Sequence, residues 1–249
     1  MADKKTIIIG GITGGIGSAL ARNLVGQGYQ VSGFARDKAR VDALNDELDT
    51  DATTCDATDP EALAACLQDF AKRYGALDAY VHAIGSIFLK PAHMTSPDDW
   101  HKTLQLNLTS AFYALGAATK IMQKQSSGSC LFFSTAAAQT GIANHEAIAA
   151  AKGGIEAMVR AAAATYSGKG LRINAIAPSL TDTPLAQPII GGEQARKISE
   201  QMHPLHSIGD AEEVASLAAW LVSDQARFVT GQTYVMDGGI STIVPKPKV

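Results

Sequence analysis

The sequence predicts an α/β protein built on one doubly wound parallel sheet with helices on both faces. Short apolar segments alternate along the chain with longer segments of helical periodicity, which is the order expected when helices connect parallel strands. A length of 249 residues suits one such sheet better than two. Because no repeat and no linker-like change in composition divides the chain, we expect residues 1–249 to form a single domain.

The predicted strands are short and apolar, as in strands that are buried on both faces. They are expected at residues 6–10, 30–35, 52–55, 77–82, 128–134, 171–176 and 233–236. Helical periodicity predicts the helices at residues 15–26, 37–48, 59–74, 97–123, 144–166 and 211–221. In the fifth helix we expect Asn144 to be the N-cap, with His145 in the first turn. Residues 181–206 show no clear strand and are a candidate lid over a site.

Composition and charge argue against several classes of protein. The chain is 46% hydrophobic and 18% charged, and its net charge of −3 does not indicate nucleic acid or an acidic membrane surface as a partner. Cys55, Cys66 and Cys130 are widely spaced, so neither a disulfide framework nor a metal site is expected. No apolar run reaches the roughly 18 residues that cross a bilayer. The start of the chain does not resemble a signal peptide, so we expect a cytoplasmic location.

A glycine-rich segment lies between the first predicted strand and the first predicted helix. A helix N-terminus offers unpaired N–H groups and a partial positive charge to a pyrophosphate, and glycines let the phosphates approach closely. This position therefore predicts a dinucleotide site of the Rossmann type. The expected cofactor contacts in the segment are Gly11, Thr13, Gly14, Gly15, Ile16 and Gly17. The spacing of Gly11, Gly15 and Gly17 differs from the usual G-x-G-x-x-G pattern.

This spacing and several later segments resemble the short-chain dehydrogenase/reductase family, and the resemblance covers nearly the whole chain. It implies a nicotinamide cofactor and hydride transfer. It also implies further cofactor contacts after the third, fourth and sixth strands and in the fifth helix, at Asp56, Ala57, Ala83, Gly85, Lys152, Pro178, Thr181 and Thr183. By the same resemblance Asn107, Thr135 and Lys152 are candidate catalytic residues.

The end of the second strand bears on the choice of cofactor. NAD-binding sites place a carboxylate here for the ribose hydroxyls, whereas an arginine suits the 2′-phosphate of NADP(H). This chain has Ala35 at the usual acidic position, followed by Arg36, with Lys38 and Arg40 nearby. We therefore expect NADP(H), with Arg36 as a phosphate contact. The alternative is that Arg36 is a solvated surface residue and that Asp37 binds the ribose.

The usual general acid of the family is missing. Ile148 replaces the tyrosine that normally stands four residues before the lysine, and Thr135 replaces the usual serine. Residues 81–85 also resemble a segment of bacterial enoyl-acyl-carrier-protein reductases, whose tyrosine stands seven residues before the lysine; in that register His145 precedes Lys152. Offsets of four and seven fall on one helix face, so His145 is a further candidate catalytic residue. The alternative is an exposed histidine at a helix start.

These observations favour an NADPH-dependent reductase that transfers a hydride to a carbonyl or an activated C=C bond of a small molecule. The alternative is an NADP(H)-binding pseudoenzyme or sensor that has lost its catalytic acid. The helix predicted at residues 144–166 is small and apolar on most faces, which is typical of a helix covered by a partner. Since members of the family commonly form tetramers through this helix, we expect a homotetramer or homodimer, with neither nucleic acid nor a membrane as partner.

Overall fold

The computed structural model describes residues 4–245 of the chain. Its strands, in chain order, are β1 (Thr6–Gly10), β2 (Gln30–Ala35), β3 (Thr53–Thr54), β4 (Ala79–His82), β5 (Gly128–Phe133), β6 (Leu171–Pro178), β7 (Thr181–Asp182), β8 (Gly209–Asp210) and β9 (Thr233–Met236). Its α-helices are α1 (Gly15–Gly26), α2 (Lys38–Leu48), α3 (Pro60–Tyr74), α4 (Pro97–Leu104), α5 (Ser110–Gln125), α6 (Glu146–Tyr166), α7 (Gln187–Ile190), α8 (Glu193–Met202) and α9 (Ala211–Val222).

The main sheet runs in the order β3-β2-β1-β4-β5-β6-β9, and every neighbouring pair of its strands is parallel. A separate small sheet pairs β7 with β8. The strand order reverses between β1 and β4, so the connecting helices cover opposite faces of the main sheet. The predicted doubly wound Rossmann-type fold is therefore confirmed.

The core consists of two apolar layers, one on each face of the sheet. Successive residues of a strand point to opposite faces, so Ile7 and Ile9 pack with α1 and α9, whereas Ile8 packs with α3, α5 and α6. These three isoleucines are almost completely buried. Burial on both faces accounts for the continuous apolar sequence of β1.

Two helix predictions are corrected by the structure. The helix predicted over residues 97–123 is interrupted by a π-helical turn, Gln105–Thr109, between α4 and α5. The prediction that Asn144 is an N-cap is wrong, because α6 begins at Glu146 with His145 as its N-cap. Asn144 instead has a left-handed backbone with φ of 65°, and its carbonyl accepts a hydrogen bond from Lys90 N at 2.9 Å. Residues 181–206, which show no clear strand in the sequence, contain β7, α7 and α8.

The turn between β1 and α1 is held by close contacts between backbone atoms. Gly11 has φ of 80°, a conformation that favours glycine, and its N–H donates to Phe34 O at 2.8 Å. A side chain on Gly17 would bring its Cβ within 2.2 Å of Gly11 O. Gly17 is therefore required by packing of the first turn of α1 against the loop, whatever the loop binds.

We expect Gly17→Ala to destabilise the protein by about 1–3 kcal/mol, because the new Cβ forces the loop away from α1. Gly26→Ala is the matched control at the other end of the same helix, where a new Cβ meets no atom of the described chain within 4 Å. This control is expected to change stability by less than about 1 kcal/mol and in the stabilising direction. Urea unfolding measures both, and equal effects of the two substitutions would contradict the packing argument.

Candidate functional site

A cavity of about 790 Å³ opens at the carboxyl ends of β1, β4, β5 and β6. This edge of a doubly wound sheet is where such folds bind their ligands. Most of the residues predicted from the sequence to bind the cofactor line this cavity: Gly11, Thr13, Gly14, Gly15, Ile16, Arg36, Asp56, Ala57, Ala83, Gly85, Lys152, Pro178, Thr181 and Thr183. Gly17 lies behind the wall, buried against the loop.

The glycine turn forms one end of the cavity and fits a pyrophosphate. Gly14 is the N-cap of α1 and, among residues 4–245, no side chain caps this end of the helix. The first turn of α1 also carries no acidic residue, so its positive end is left free for an anion. On the other side of the cavity, Thr183 stands so close that a Cβ on Gly15 would lie 2.6 Å from its Cγ2. A side chain at Gly15 would therefore not fit between the loop and Thr183.

Two arginines stand beside the glycine turn on the cavity wall. Arg40 donates a hydrogen bond to Thr13 O, and Arg36 lies close enough to stabilise the carboxylate of Asp56. Hydrogen bonds from Thr58, together with Arg36, hold the pKa of Asp56 below its usual value. The carboxylate of Asp37 accepts the Arg40 N–H at 3.2 Å and so caps α2. In the sequence Arg40 is recognisable only as a neighbour of Arg36, because its contact with the glycine turn depends on how α2 packs.

Lys152 projects from α6 into the cavity. Its Nζ donates to Phe133 O at 2.9 Å, and the side chain is buried. A Cβ on Gly85 would lie 3.3 Å from the same Nζ, so the ammonium group faces the segment that follows β4. Burial lowers the pKa of Lys152 to about 8.

Asn107 does not reach the cavity wall. It is completely buried in the π-helical turn, where its Oδ1 accepts the Ser86 N–H at 2.9 Å and its Nδ2 donates to Ser86 Oγ and Thr103 O, both at 3.0 Å. Side-chain bonds to the carbonyl one turn back compete with the helix ladder, which accounts for the π-helical turn. Asn107 therefore fixes the segment at Gly85 and Ser86, and its predicted catalytic role stays a prediction.

The wall contributed by α6 is apolar where the family tyrosine would stand, because Ile148 lines the cavity there. Thr135 and His145 line the same cavity. His145 has one ring nitrogen, Nδ1, 2.8 Å from Ala143 O, and it stands at the N-cap of α6 instead of in its first turn. Thr135 begins the 3₁₀ turn Ala136–Ala138, and its Oγ1 accepts the Ala137 N–H at 3.4 Å.

His82 is buried behind the cavity and serves the core. Its Nδ1 lies 2.8 Å from the Tyr80 hydroxyl, and its Nε2 lies 3.1 Å from Ser110 Oγ. Ser110 donates its own proton to Leu106 O, so His82 Nε2 carries a proton and donates to Ser110. Burial lowers the pKa of His82 to about 3, which keeps the ring neutral.

A second histidine on the cavity wall was not identified from the sequence. His203 follows α8 and lies far along the chain from Ser179, yet its Nε2 is 2.9 Å from Ser179 Oγ. Both residues line the cavity. No local pattern in the sequence pairs Ser179 with His203, because the two meet only once α8 is packed against the end of β6.

Within residues 4–245, no cluster of three or more His, Cys, Asp or Glu side chains is arranged to hold a metal ion, and no helix is long and apolar enough to cross a membrane.

Comparison with known proteins identifies the family. A family model described as enoyl-(acyl carrier protein) reductase matches residues 11–241. A cis-4-hydroxycyclohexanecarboxylate dehydrogenase of Sinomonas cyclohexanicum is 32% identical over 248 residues, covering 96% of this chain and 98% of the relative. A short-chain type dehydrogenase/reductase of Mycobacterium ulcerans has a similar structure, with a TM-score of 0.92, 27% identity and coverage of 97% of this chain and 91% of that one. The chain belongs to the short-chain dehydrogenase/reductase family.

Two further relatives differ in what is described for them, one as an inactive protein and one with a bound cofactor. An inactive 2-(S)-hydroxypropyl-CoM dehydrogenase 2 of Xanthobacter autotrophicus is 30% identical over 232 residues, which cover 90% of this chain and all of the relative. A structure of ElxO with NADP bound matches 95% of this chain and 98% of its own, with a TM-score of 0.89 and 26% identity. The chain is thus an oxidoreductase of a family that binds a nicotinamide cofactor.

We expect Lys152→Met to stabilise the cofactor-free protein at neutral pH, because it removes a buried ammonium group. Between pH 8 and 10.5 the lysine is neutral in the folded protein but still charged when unfolded, so the stability of the unmodified protein rises with pH in that window. Below pH 8 the buried charge of Lys152 destabilises the folded protein by about 3 kcal/mol. Lys152→Met should gain less than this, because it also removes the hydrogen bond to Phe133 O.

Urea unfolding of both proteins at several pH values tests this. The difference in free energy of unfolding should shrink as pH rises through the window. The exposed Lys120→Met is the matched control for loss of a lysine that is not buried. A pH dependence that is the same for both substitutions would contradict the lowered pKa of Lys152.

Proposed function

We propose that the protein is an NADP(H)-dependent oxidoreductase that transfers a hydride between the cofactor and a carbonyl or activated C=C group of a small molecule. One observation carries the proposal: a single cavity joins the glycine turn and two arginines at one end to Lys152, Thr135 and His145 at the other. A cofactor with phosphates at one end and a reactive ring at the other suits this arrangement.

The preference for NADP(H) rests on the groups around the end of β2. Arg36 and Arg40 both line the cavity there, and guanidinium groups bind a phosphate more strongly than a neutral hydroxyl. Ala35 leaves no carboxylate at the position that binds ribose hydroxyls in NAD sites. Asp37 also lines the cavity, but its carboxylate already caps α2. The similar ElxO structure has NADP bound, which supports the preference for NADP(H).

At the other end of the cavity, Lys152 is the polar group best placed to hold the nicotinamide ribose, and Pro178, Thr181 and Thr183 border the carboxamide in our proposal. When bound, the nicotinamide ring supplies or accepts the hydride, and the chain orients the substrate and manages the accompanying charge and proton. The hydroxyl of Thr135 and the imidazole of His145, which both line the cavity, are candidates for contact with the substrate oxygen. A single folded domain, a cytoplasmic location and a homotetramer or homodimer stay predictions.

We expect Arg36→Asp to weaken NADPH binding by about 10- to 100-fold, because it replaces a charge-assisted hydrogen bond with repulsion of the 2′-phosphate. NADH, which lacks that phosphate, should bind within about threefold of its original affinity. Lys38→Asp is the matched control: the same charge change two residues away, on a side chain paired with Asp42 outside the cavity. Fluorescence titration with both cofactors measures the effect. Equal weakening of NADPH and NADH by Arg36→Asp would contradict the assignment.

A second candidate function is a cofactor-binding pseudoenzyme or sensor. Two observations favour it. Ile148 has no proton to give and occupies the wall where the family tyrosine would stand, and one relative is described as inactive. Loss of that tyrosine removes one proton donor only, and other polar groups remain on the cavity wall, so we place this function second.

A panel of ketones, ketoacyl thioesters and enoyl thioesters should show NADPH oxidation with at least one compound, and a matching panel of alcohols should show NADP⁺ reduction. His145→Ala is the accompanying variant, and an unchanged kcat would remove His145 from the mechanism. If the folded protein binds NADPH but shows no activity with any compound, while Ile148→Tyr is active, the pseudoenzyme hypothesis replaces our proposal.

A further inference from the structure

The hydrogen bond between Ser179 and His203 is a feature of the cavity that the cofactor does not account for. Ser179 follows β6 directly, and His203 is the C-cap of α8. Both line the cavity, and His203 is only 3% exposed. A hydroxyl and an imidazole joined at 2.9 Å on a cavity wall are the elements of a proton-transfer pair.

The direction of this hydrogen bond follows from the other nitrogen of the ring. His203 Nδ1 lies 2.7 Å from Ser199 O. A carbonyl oxygen can only accept, so Nδ1 carries a proton. In the neutral ring Nε2 then has a free lone pair, and the Ser179 hydroxyl donates to it. His203 is therefore oriented as a base toward Ser179, with Ser199 fixing its tautomer.

The surroundings of His203 stabilise the positive charge that forms when it accepts a proton. The ring stands at the carboxyl end of α8, which is the negative end of the helix. Asp237 directly follows β9 and lies within electrostatic range of the ring. Burial acts to raise the pKa of Asp237, but hydrogen bonds from Ser241 and Gly239 and the proximity of His203 hold it below its usual value. On α8 itself, Glu200 stands three residues before His203 and pairs with Arg196 at 3.4 Å.

His145 has the opposite setting. It is the N-cap of α6, where the positive end of the helix opposes an imidazolium ion. Its Nδ1 contacts a backbone carbonyl, and within the described chain no hydroxyl is bound to either of its ring nitrogens. Of the two cavity histidines, His203 is thus the one whose ring nitrogen is joined to a hydroxyl.

We propose that Ser179 and His203 form a proton relay that takes the place of the missing tyrosine, with Ser179 as the catalytic residue at the substrate oxygen and His203 as the positioning residue that holds the proton. This rests on the proposed function, and it selects an alcohol and its carbonyl product as the substrate pair.

The relay balances in the direction of alcohol oxidation. The substrate O–H bond breaks and its proton passes to Ser179 Oγ, while the proton of Ser179 passes to His203 Nε2. The C–H bond of the carbon that carries this hydroxyl also breaks, and its electron pair leaves with the hydrogen as hydride to NADP⁺, which is the oxidant. The electron pair of the O–H bond becomes the second bond of the carbonyl. In the reverse direction the imidazolium returns its proton through Ser179 to the carbonyl oxygen.

A nucleophilic role for Ser179 is less well supported. Acyl transfer requires N–H groups aimed at the developing oxyanion. The N–H of Ser179 already donates to Met236 O at 3.0 Å, so it is not free for that purpose.

The first test requires neither cofactor nor turnover. Nitrogen NMR of cofactor-free protein labelled at histidine should find His203 in the neutral Nδ1–H tautomer. Ser179→Ala should shift the Nε2 resonance, whereas the exposed Ser216→Ala should not. An Nε2–H tautomer, or an Nε2 resonance that ignores Ser179→Ala, would overturn the relay.

The second test is kinetic. Ser179→Ala and His203→Gln should each lower kcat for the alcohol by about 100-fold or more, with the affinity for NADPH unchanged within about threefold. Glutamine keeps a hydrogen bond to Ser179 but cannot take its proton. The double variant should be no slower than either single variant, because the two residues act as a unit. His101→Gln and Ser216→Ala, on exposed helix faces, are the controls.

A pH profile separates proton transfer from a structural role. If His203 takes the proton, the dependence of kcat for alcohol oxidation on pH should change in His203→Gln and stay the same in the exposed His101→Gln. An active protein whose kcat is unaffected by Ser179→Ala and His203→Gln would overturn the relay alone. A protein that binds NADPH yet is silent with every alcohol and carbonyl compound would overturn the proposed function, and the relay with it. Activity confined to enoyl thioesters would overturn the relay and keep the oxidoreductase.

Discussion

The close packing of backbone against backbone between β1 and α1 is the constraint on which the rest of the site depends. Gly11 turns the chain in a left-handed conformation, and the absence of a side chain on Gly17 lets the helix start within reach of the Gly11 carbonyl. This places the uncapped end of α1 at the edge of the sheet. The arginine that completes the phosphate end is tied to the same turn, because Arg40 donates to Thr13 O. Glycine at these positions is thus a folding requirement as much as a binding one.

At the opposite end of the cavity the constraint is electrostatic. Ile148 makes the α6 wall apolar where the family tyrosine would stand, and in our proposal another wall handles the proton of the reaction. The two histidines of the cavity stand at opposite kinds of helix end: His145 at the positive end of α6 and His203 at the negative end of α8. In our proposal the wall formed by β6 and α8 is the one that accepts the proton, because Ser179 and His203 are joined there.

Much of the fold could be predicted because its local signals agree. The apolar run of β1 is followed at once by the glycine turn, and both β1 and α1 have the predicted bounds. The start of α6 could not be predicted, because Asn144 is a good N-cap by type but is held outside the helix by a hydrogen bond to Lys90, which is distant in sequence. The π-helical turn at Asn107 could not be predicted for a related reason. The side-chain amide of Asn107 is hydrogen-bonded to Ser86, which is distant in sequence, so no local pattern indicates that contact.

The site shows the same division. Residues that closely follow one strand, such as Thr135 and Thr183, could be predicted from the resemblance to the family, and both line the cavity. The pair of Ser179 and His203 could not, because it joins the end of β6 to the end of α8 across a segment whose course the sequence leaves open. The small sheet of β7 and β8 turns the chain so that α8 ends beside β6, and Gly238 backs the imidazole, with a Cβ there meeting His203 Cβ at 3.3 Å. Packing of this kind, and not helical or strand periodicity, brings a base to the hydroxyl; the segment after β6 therefore shapes the chemistry of the site as well as covering it.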